Sequence, residues 1–480
     1  MWPFGKKTFP TISLTNTLSG TKEVFTPLKS PEVRIYSCGP TVYGPQHIGN
    51  LRAAVFSDTL ARTLASVGYK VKRVVNITDV GHMVGDGDSG EDKMNVGAKR
   101  DKVSPKEIAD RYSKQYLDDI HSLNIQTKHI RFPRATDYIP DQIKMIQTLE
   151  KRGHTYTLPN GVYFDTSTFP DYGKLGARDK VALEAGARVD MIAGKKNLQD
   201  FVLWRNAKPE DLQQWDSPWG KGNPGWSIEC SAMIRALLGD TIDIHTGGED
   251  HVSIHHNNEI AQSEGSTGEP LANYWLHNAF LTIDGEKISK SLGNIFVLDD
   301  VKKRGIHPLA LRYLFLQAHY RSPLSFTWES LEAVNRGLHN IWKEISKVQR
   351  ESGGKKNESE KAKELVQKVF ASFFDDLNTS EGLGHLGSPE AWYLSPSEKW
   401  YVYNKVDELL GLSFKNPPEA PKTLTLNKLP EDLQKLAKER EEARKRKDFA
   451  QADELRIHME NRGYRVYDGA LETTYIKTTQ

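Results

Sequence analysis

Cys38 and Cys230 are the only thiols in the 480-residue chain, and two cysteines make no disulfide framework for a protein of that size. The reading that asks least of them is two buried thiols acting as small hydrophobes. The other is metal ligation. Cys230, His255, His256 and Glu259 are spaced so that a strand end and one helix face could meet Cys38. Either histidine shares a helix face with Glu259, being four or three residues before it, so spacing leaves the choice open. Two thiolates, one imidazole and one carboxylate suit zinc. The spacing is not that of a zinc finger, whose paired cysteines lie within a few residues.

Cys38 belongs to Tyr36-Ser-Cys-Gly-Pro-Thr-Val-Tyr-Gly-Pro-Gln-His-Ile-Gly-Asn50, which also ends in a candidate phosphate grip. His47, Gly49 and Asn50 fall at a predicted helix N-terminus, where backbone N–H groups and the helix dipole favour a polyphosphate. A lone histidine there is more often a cap, so the motif needs a partner. Lys287-Ile-Ser-Lys-Ser291 supplies one, a short polar segment with two lysines before Leu292-Gly293-Asn294.

The elements that must carry these residues alternate strand and helix. Val33 and Ile35 mark a buried strand, Gly39, Pro40, Gly44 and Pro45 a rigid loop, and Leu51, Val55, Phe56, Leu60, Leu64 and Val67 a helix closed by Gly68. A strand from Val71 to Ile77 follows, and the Gly/Asp-rich run from Gly81 to Gly90 reads either as a crevice-lining loop or as a solvated one. Residues 11 to 35 read as a hairpin turning at Ser19-Gly20-Thr21. Helices are expected from Ser104 and from Tyr138 to Lys151, and strands at Gly161 to Asp165 and from Phe201. Gly225 to Met233 should lead into a helix. Ile242 to His245 should enter a glycine turn, Thr246 to Asp250, with the next helix starting at His251.

Beyond Asp300 the chain is read as helical, broken by a polar, mobile linker from Glu351 to Ser359 and a second linker from Pro417 to Lys422. A helix from Leu433 to Lys447 carries Arg440, Arg444, Lys445, Arg446 and Lys447, and Asp448 caps another that ends at Gly463. Net charge is only +2, so any nucleic-acid surface must be local. No apolar run approaches the 18 or more residues of a membrane span, and the N-terminus does not read as a secretory signal. A cytoplasmic protein without membrane contact is expected.

Together, His47-Ile-Gly-Asn50 and Lys287-Ile-Ser-Lys-Ser291 resemble the paired H-I-G-H and K-M-S-K-S signatures of class I aminoacyl-tRNA synthetases. Cys38-Gly-Pro-Thr-Val-Tyr43, Gly225-Trp-Ser-Ile-Glu-Cys-Ser-Ala-Met233, His255-His-Asn-Asn-Glu-Ile-Ala-Gln-Ser263 and His319-Tyr-Arg-Ser-Pro-Leu324 narrow the resemblance to cysteinyl-tRNA synthetases. It implies an α/β class I Rossmann-type catalytic domain with a connective insertion, followed by helical tRNA-binding domains. The expected layout is 1-120 and 201-300 for the catalytic halves, 121-200 for the insertion, 301-415 for the helical region and 423-480 for a small basic anticodon-binding module. The resemblance implies zinc on Cys38, Cys230, His255 and Glu259, and MgATP. The catalytic set is His47, Asn50, Lys287 and Lys290. ATP contacts add Gly49 and Asp250, and Trp226, Thr41 and Tyr43 form the substrate pocket. Partners are tRNA(Cys), ATP and L-cysteine, with the chain a monomer.

Ser227 stands where the family usually has histidine, Ser253-Ile254 where it has Phe-Pro, and the helical region after Thr379 is shorter by roughly one helix. Two rival functions are a ligase joining activated cysteine to a small amine and a non-catalytic RNA-binding protein with structural zinc. The basic tail argues against the first, and the intact motif residues against the second.

Overall fold

The computed structural model describes residues 10–84, 90–176, 194–288, 293–419, 423–468 and 473–477. Lys290 and residues 85–89 of the Gly81 to Gly90 run lie outside them.

The expected hairpin, β1 (Ser13–Asn16) and β2 (Thr21–Val24), leads into β3 (Glu32–Ser37). α1 (Ile48–Ser66) follows, with His47 as its N-cap, then β4 (Lys70–Val75). Leu51, Val55, Leu60 and Leu64 of α1 are at most 2% exposed, and each such side chain contributes about 1.5–3 kcal/mol of burial. The helix is also buried on its polar side. Asp58 there meets Arg62 at 2.6 Å and Arg312 at 2.8 Å. Burial alone would raise the Asp58 pKa, but the guanidinium groups of Arg62, Arg312 and Arg73 outweigh it and hold the group below the ordinary carboxylate range.

α2 (Lys93–Asp101), which periodicity did not reveal, precedes α3 (Pro105–Ser122), whose Ser104 and Glu107 form a capping box. β5 (Ile130–Arg131) and α4 (Ile139–Lys151) complete the first half. An antiparallel sheet then runs in the order β6 (Thr155–Leu158), β7 (Gly161–Phe164), β8 (Phe201–Asn206), β9 (Gly222–Pro224). β8 and β9 pair with the inserted sheet, which therefore extends past residue 200, because Trp204 packs with Phe164 and Phe201 in one core.

α5 (Trp226–Leu238) begins before the expected point and contains Cys230. β10 (Ile242–Gly248) runs through the two glycines expected to turn, and a single 3-10 turn separates it from α6 (His255–Thr267), which starts later than expected. β11 (Ala272–Asn278) follows. The main sheet is parallel throughout, in the order β11-β10-β3-β4-β5. The chain leaves β3 toward one edge and β10 toward the other, so the strand order reverses between them. In open parallel sheets that switch point, at the carboxyl ends of the strands, is where ligands bind.

β12 (Leu281–Ile283) and β13 (Glu286–Lys287) form a hairpin that β14 (Leu324–Phe326) joins, so Lys287 ends a strand instead of lying in a free loop. The helical region comprises α7 (Leu298–Lys303), α8 (Pro308–Leu316), α9 (Trp328–Glu351), α10 (Glu360–Phe374), α11 (Thr379–Leu386), α12 (Pro389–Trp392) and α13 (Pro396–Leu410). The stretch read as a mobile linker is a short connection here. Asn357 donates to the Ser397 carbonyl, and Ser359 caps α10.

β15 (Thr423–Leu424), α14 (Glu431–Lys445), α15 (Phe449–Asn461), β16 (Tyr464–Asp468) and β17 (Thr473–Lys477) form the C-terminal module around Leu429, Leu433 and Met459. Arg440 is buried at 4% exposure, so it does not belong to the exposed basic face. Arg444, Lys445, Arg446 and Lys447 are exposed. No helix among the described residues is long and apolar enough to cross a membrane.

Candidate active site

Three elements converge at the switch point. Cys38 follows β3, Cys230 comes from α5, and His255 and Glu259 lie one turn apart on α6. Gly39 is required beside Cys38 because a Cβ there would lie 1.7 Å from the Asn76 carbonyl oxygen. One ligand atom from each of Cys38, Cys230, His255 and Glu259 falls within 4.8 Å of the others. A second set, Cys38, His245, His256 and Glu259, also meets that limit. The helix carrying Cys230 was the missing geometric link, since spacing suggested only a strand end and one helix.

Charge favours a cation there. Burial opposes ionisation of both thiols, yet hydrogen bonding with Cys38 brings Cys230 down to about 6, while Cys38 stays well above the usual thiol value. Burial likewise opposes the Glu259 carboxylate, but His245 and His255 hold it down to about 2. The buried anionic groups thus have one strongly basic neighbour, His255, raised to about 10 against its own burial by Glu259 and Cys230. A divalent ion accepting both thiolates and the carboxylate fits this donor set, with His255 losing its proton on binding. Ser227 Oγ sits 3.1 Å from His255 Nδ1, which leaves Nε2, 3.0 Å from Glu259, on the ligand side. The Ser227 hydroxyl therefore orients the imidazole.

Two histidines that sequence reasoning did not single out, His245 and His277, surround this floor together with His256, which spacing had offered as an alternative to His255. His245 Nε2 lies 2.8 Å from Glu259, and His256 connects Cys38 at 3.3 Å to His277 at 2.8 Å. Burial first, then neighbouring His245, lowers His256 and His277 far below the ordinary histidine value, so both rings are neutral. No period marks them in the sequence, because they come from β10, α6 and β11 separately.

A cavity of about 400 Å³ opens above the floor. Trp226 lies over it, stacked between His82 at 4.0 Å and His255 at 4.2 Å. Lys93 donates to His82 Nε2 at 2.7 Å, so Nδ1 carries the proton it shares with Thr41 Oγ1 at 2.6 Å. His82 is 7% exposed and lines the cavity, so the start of the Gly81 to Gly90 run faces the crevice, while Val84 is exposed. Tyr43 lines the same wall, with the Lys93 ammonium 5.8 Å from its ring centre.

The opposite wall carries the polar grip. His47 Nδ1 accepts from the Asn50 N–H at 3.3 Å. Burial lowers the His47 pKa to about 4, with Asp250 opposing, so the ring is neutral and its other nitrogen is a donor. The Ile48 N–H is taken by the Phe296 carbonyl, so the helix end is less open than a bare N-terminus. A Cβ at Gly49 would come within 3.1 Å of Ile288, which shows how closely the lysine hairpin seats on α1. Asn50, Asp250 and Lys287 are exposed at the rim. Among the described residues, every expected site residue except Glu259, which lies beneath, lines this one cavity.

A family model described as the class I (C) tRNA synthetase catalytic domain matches residues 24–336. A cysteine–tRNA ligase of Burkholderia lata is 44% identical over 473 residues, covering 95% of each chain. Those of Treponema denticola and Thermus thermophilus are each 40% identical, over 97% and 94% of this chain and 99% and 96% of their own lengths. Methionyl-tRNA synthetase of Mycobacterium tuberculosis, solved bound by methionyl-adenylate, shares the fold with a TM-score of 0.56 at 15% identity, over 80% of this chain and 93% of that one. The matched span runs from β2 into α9 and takes in both motifs and all four residues of the thiol cluster, and the chain belongs to the cysteine–tRNA ligase family of class I aminoacyl-tRNA synthetases.

Proposed function

We propose that the protein joins L-cysteine to tRNA(Cys) in two steps. The cysteine carboxylate attacks the α-phosphate of MgATP, forming cysteinyl-adenylate and releasing pyrophosphate. The 3′-terminal ribose hydroxyl of tRNA then displaces AMP from the acyl group. The observation that carries this reading is the coincidence at one cavity of the Cys/Cys/His/Glu set forming its floor and the His47 to Lys287 polar grip at its rim.

The first step calls for alignment and charge stabilisation more than acid-base chemistry. Neutral His47 donates to a phosphate oxygen, Asn50 adds its amide, and Lys287, from the facing hairpin, balances the negative charge together with Lys290. Asp250, just beyond the end of β10, serves the nucleotide. Trp226, Thr41 and Tyr43 bound the amino-acid side. Zinc held by Cys38, Cys230, His255 and Glu259 would supply a soft Lewis acid for the substrate thiolate.

Residues 301-415 and 423-480 would hold the tRNA, the latter through Arg444 to Lys447. The catalytic halves correspond to 1-120, carried on past residue 130 by β5 of the main sheet, and to 201-300; the insertion 121-200 between them has a sheet that reaches on to Pro224. The same reading has the chain acting as a cytoplasmic monomer. The match along nearly the whole chain favours a tRNA acceptor over a small amine. ATP–pyrophosphate exchange with each amino acid in turn, followed by charging of tRNA, tests it. Cysteine-dependent exchange and charging of tRNA(Cys) are expected; exchange with another amino acid alone contradicts the reading.

A further inference from the structure

Arg52 lies on α1, five residues beyond His47, and is 3% exposed. Its guanidinium donates to four carbonyls on two separate segments: Ala279 and Phe280 at 2.8 Å each, and His319 at 3.3 Å and Ser322 at 2.6 Å. A planar five-donor fork held by four acceptors fixes both segments against the helix.

The first segment leads directly into the lysine hairpin. The Phe280 N–H donates to Glu249 at 2.7 Å, so this residue is gripped from both sides. Thr282 pairs with Lys287, whose ammonium lies 5.4 Å from the Phe280 ring centre. The second segment is tied to Asp376, in the bend between α10 and α11. That carboxylate accepts from Thr15 N and Oγ1, Tyr320 OH, and Arg321 Nε and Nη2, all within 2.6–2.9 Å. Asp376 and Leu377 have φ of 57° and 54°. Left-handed residues of this kind persist where their surroundings hold them.

We propose that Arg52 is a positioning residue for adenylate formation, setting the lysine hairpin against the helix that begins at His47, and that Asp376 acts through it by holding the His319 to Ser322 turn. The inference rests on the reading of Lys287 as a phosphate contact. The thiol floor stands on β3, α5 and α6, and none of the four Arg52 hydrogen bonds reaches them, so its loss should spare the cysteine side.

The test is ATP–pyrophosphate exchange, per titrated active site, for wild type, Arg52→Lys, Asp376→Asn and the double variant, with KM for ATP and cysteine and bound zinc measured on each. Misplacement on the ångström scale costs up to about 10²-fold, so Arg52→Lys should lower kcat/KM for ATP by about 10- to 100-fold. KM for cysteine should stay within about twofold and zinc content at the wild-type value. Asp376→Asn should give a smaller defect of the same kind, and the double variant should be little worse than Arg52→Lys, since both act through one turn. Unchanged ATP parameters, equal rises in both KM values or a fully additive double variant would overturn the inference. If Arg52→Lys does not fold, Asp376→Asn decides alone, an unchanged kcat/KM for ATP overturning it. Wild type without cysteine-dependent exchange contradicts the functional reading itself, a result separate from any variant effect.

Discussion

At the floor of the crevice Cys230, His255 and Glu259 are at most 1% exposed, and the His255 and Glu259 side chains are each hydrogen-bonded on both sides. At the rim, Asn50, Asp250 and Lys287 face solvent, and the hairpin behind Lys287 depends on a few hydrogen bonds. The floor is organised before any substrate arrives. Changes there should disturb folding, metal retention and amino-acid choice together. The rim meets charge that develops only during reaction, so changes there should alter rate and leave the fold alone.

The sharpest way to break this division is Glu259→Gln. It removes one charge from a buried network with His245 and His255, a class of change that costs about 3–5 kcal/mol. The denaturation midpoint should fall and bound metal should be lost in the same variant; a stable, metal-loaded Glu259→Gln protein would place that carboxylate outside the ligand set. Lys290→Ala, at the second lysine expected to meet that developing charge, should lower kcat for adenylate formation by about 10²-fold, with KM for cysteine and the denaturation midpoint unchanged. Ser227→Ala probes the boundary between the two regions. Losing the hydroxyl that orients His255 should weaken metal affinity about 10-fold, read by competition with a chelator.

His47 sharpens the comparison through pH. Its folded pKa of about 4 lies below the ordinary 6.5, so the unfolded chain takes up the proton first. Stability is then lost as pH falls from 6.5 toward 4, by at most about 3 kcal/mol. His47→Gln should flatten that limb of the stability curve, and the rate profile between pH 5 and 8 should show no inflection from this ring. The smallest effect is expected farthest away. Charge reversal at Arg444 and Lys445 should leave exchange intact, raise KM for tRNA and reduce the salt slope by about one for each phosphate that the module no longer neutralises; equal loss of both steps would assign the module to folding instead.

Much of the site was legible because its chemistry is local. Cys38, the glycine loop, the His47 cap and the α1 stripe follow one another within one strand-helix unit, and period and punctuation suffice there. What the sequence hid is tertiary. His245, His256 and His277 become a cluster only through parallel pairing of β10 and β11 and the return of α6. Arg52 and Asp58 look like the polar face of an amphipathic helix, yet both are buried because the helical region covers that side. Arg440 misled in the same way, reading as part of a surface charge run while its position on α14 turns it into the module. β8 was recognised as a strand, but its partner could not be, since pairing with β7 depends on the inserted sheet.

On this account a metal held by Cys38, Cys230, His255 and Glu259 chooses the amino acid. Cysteine and serine differ by one atom, and a pocket judging size alone separates such pairs by only about 10- to 200-fold. The direct measurement is bound zinc together with the cysteine-to-serine ratio of kcat/KM in exchange, for wild type and Cys230→Ser. Near-stoichiometric zinc with a wild-type ratio above about 10⁴, both falling in Cys230→Ser, is the predicted result. A zinc-free wild type that still rejects serine would contradict it.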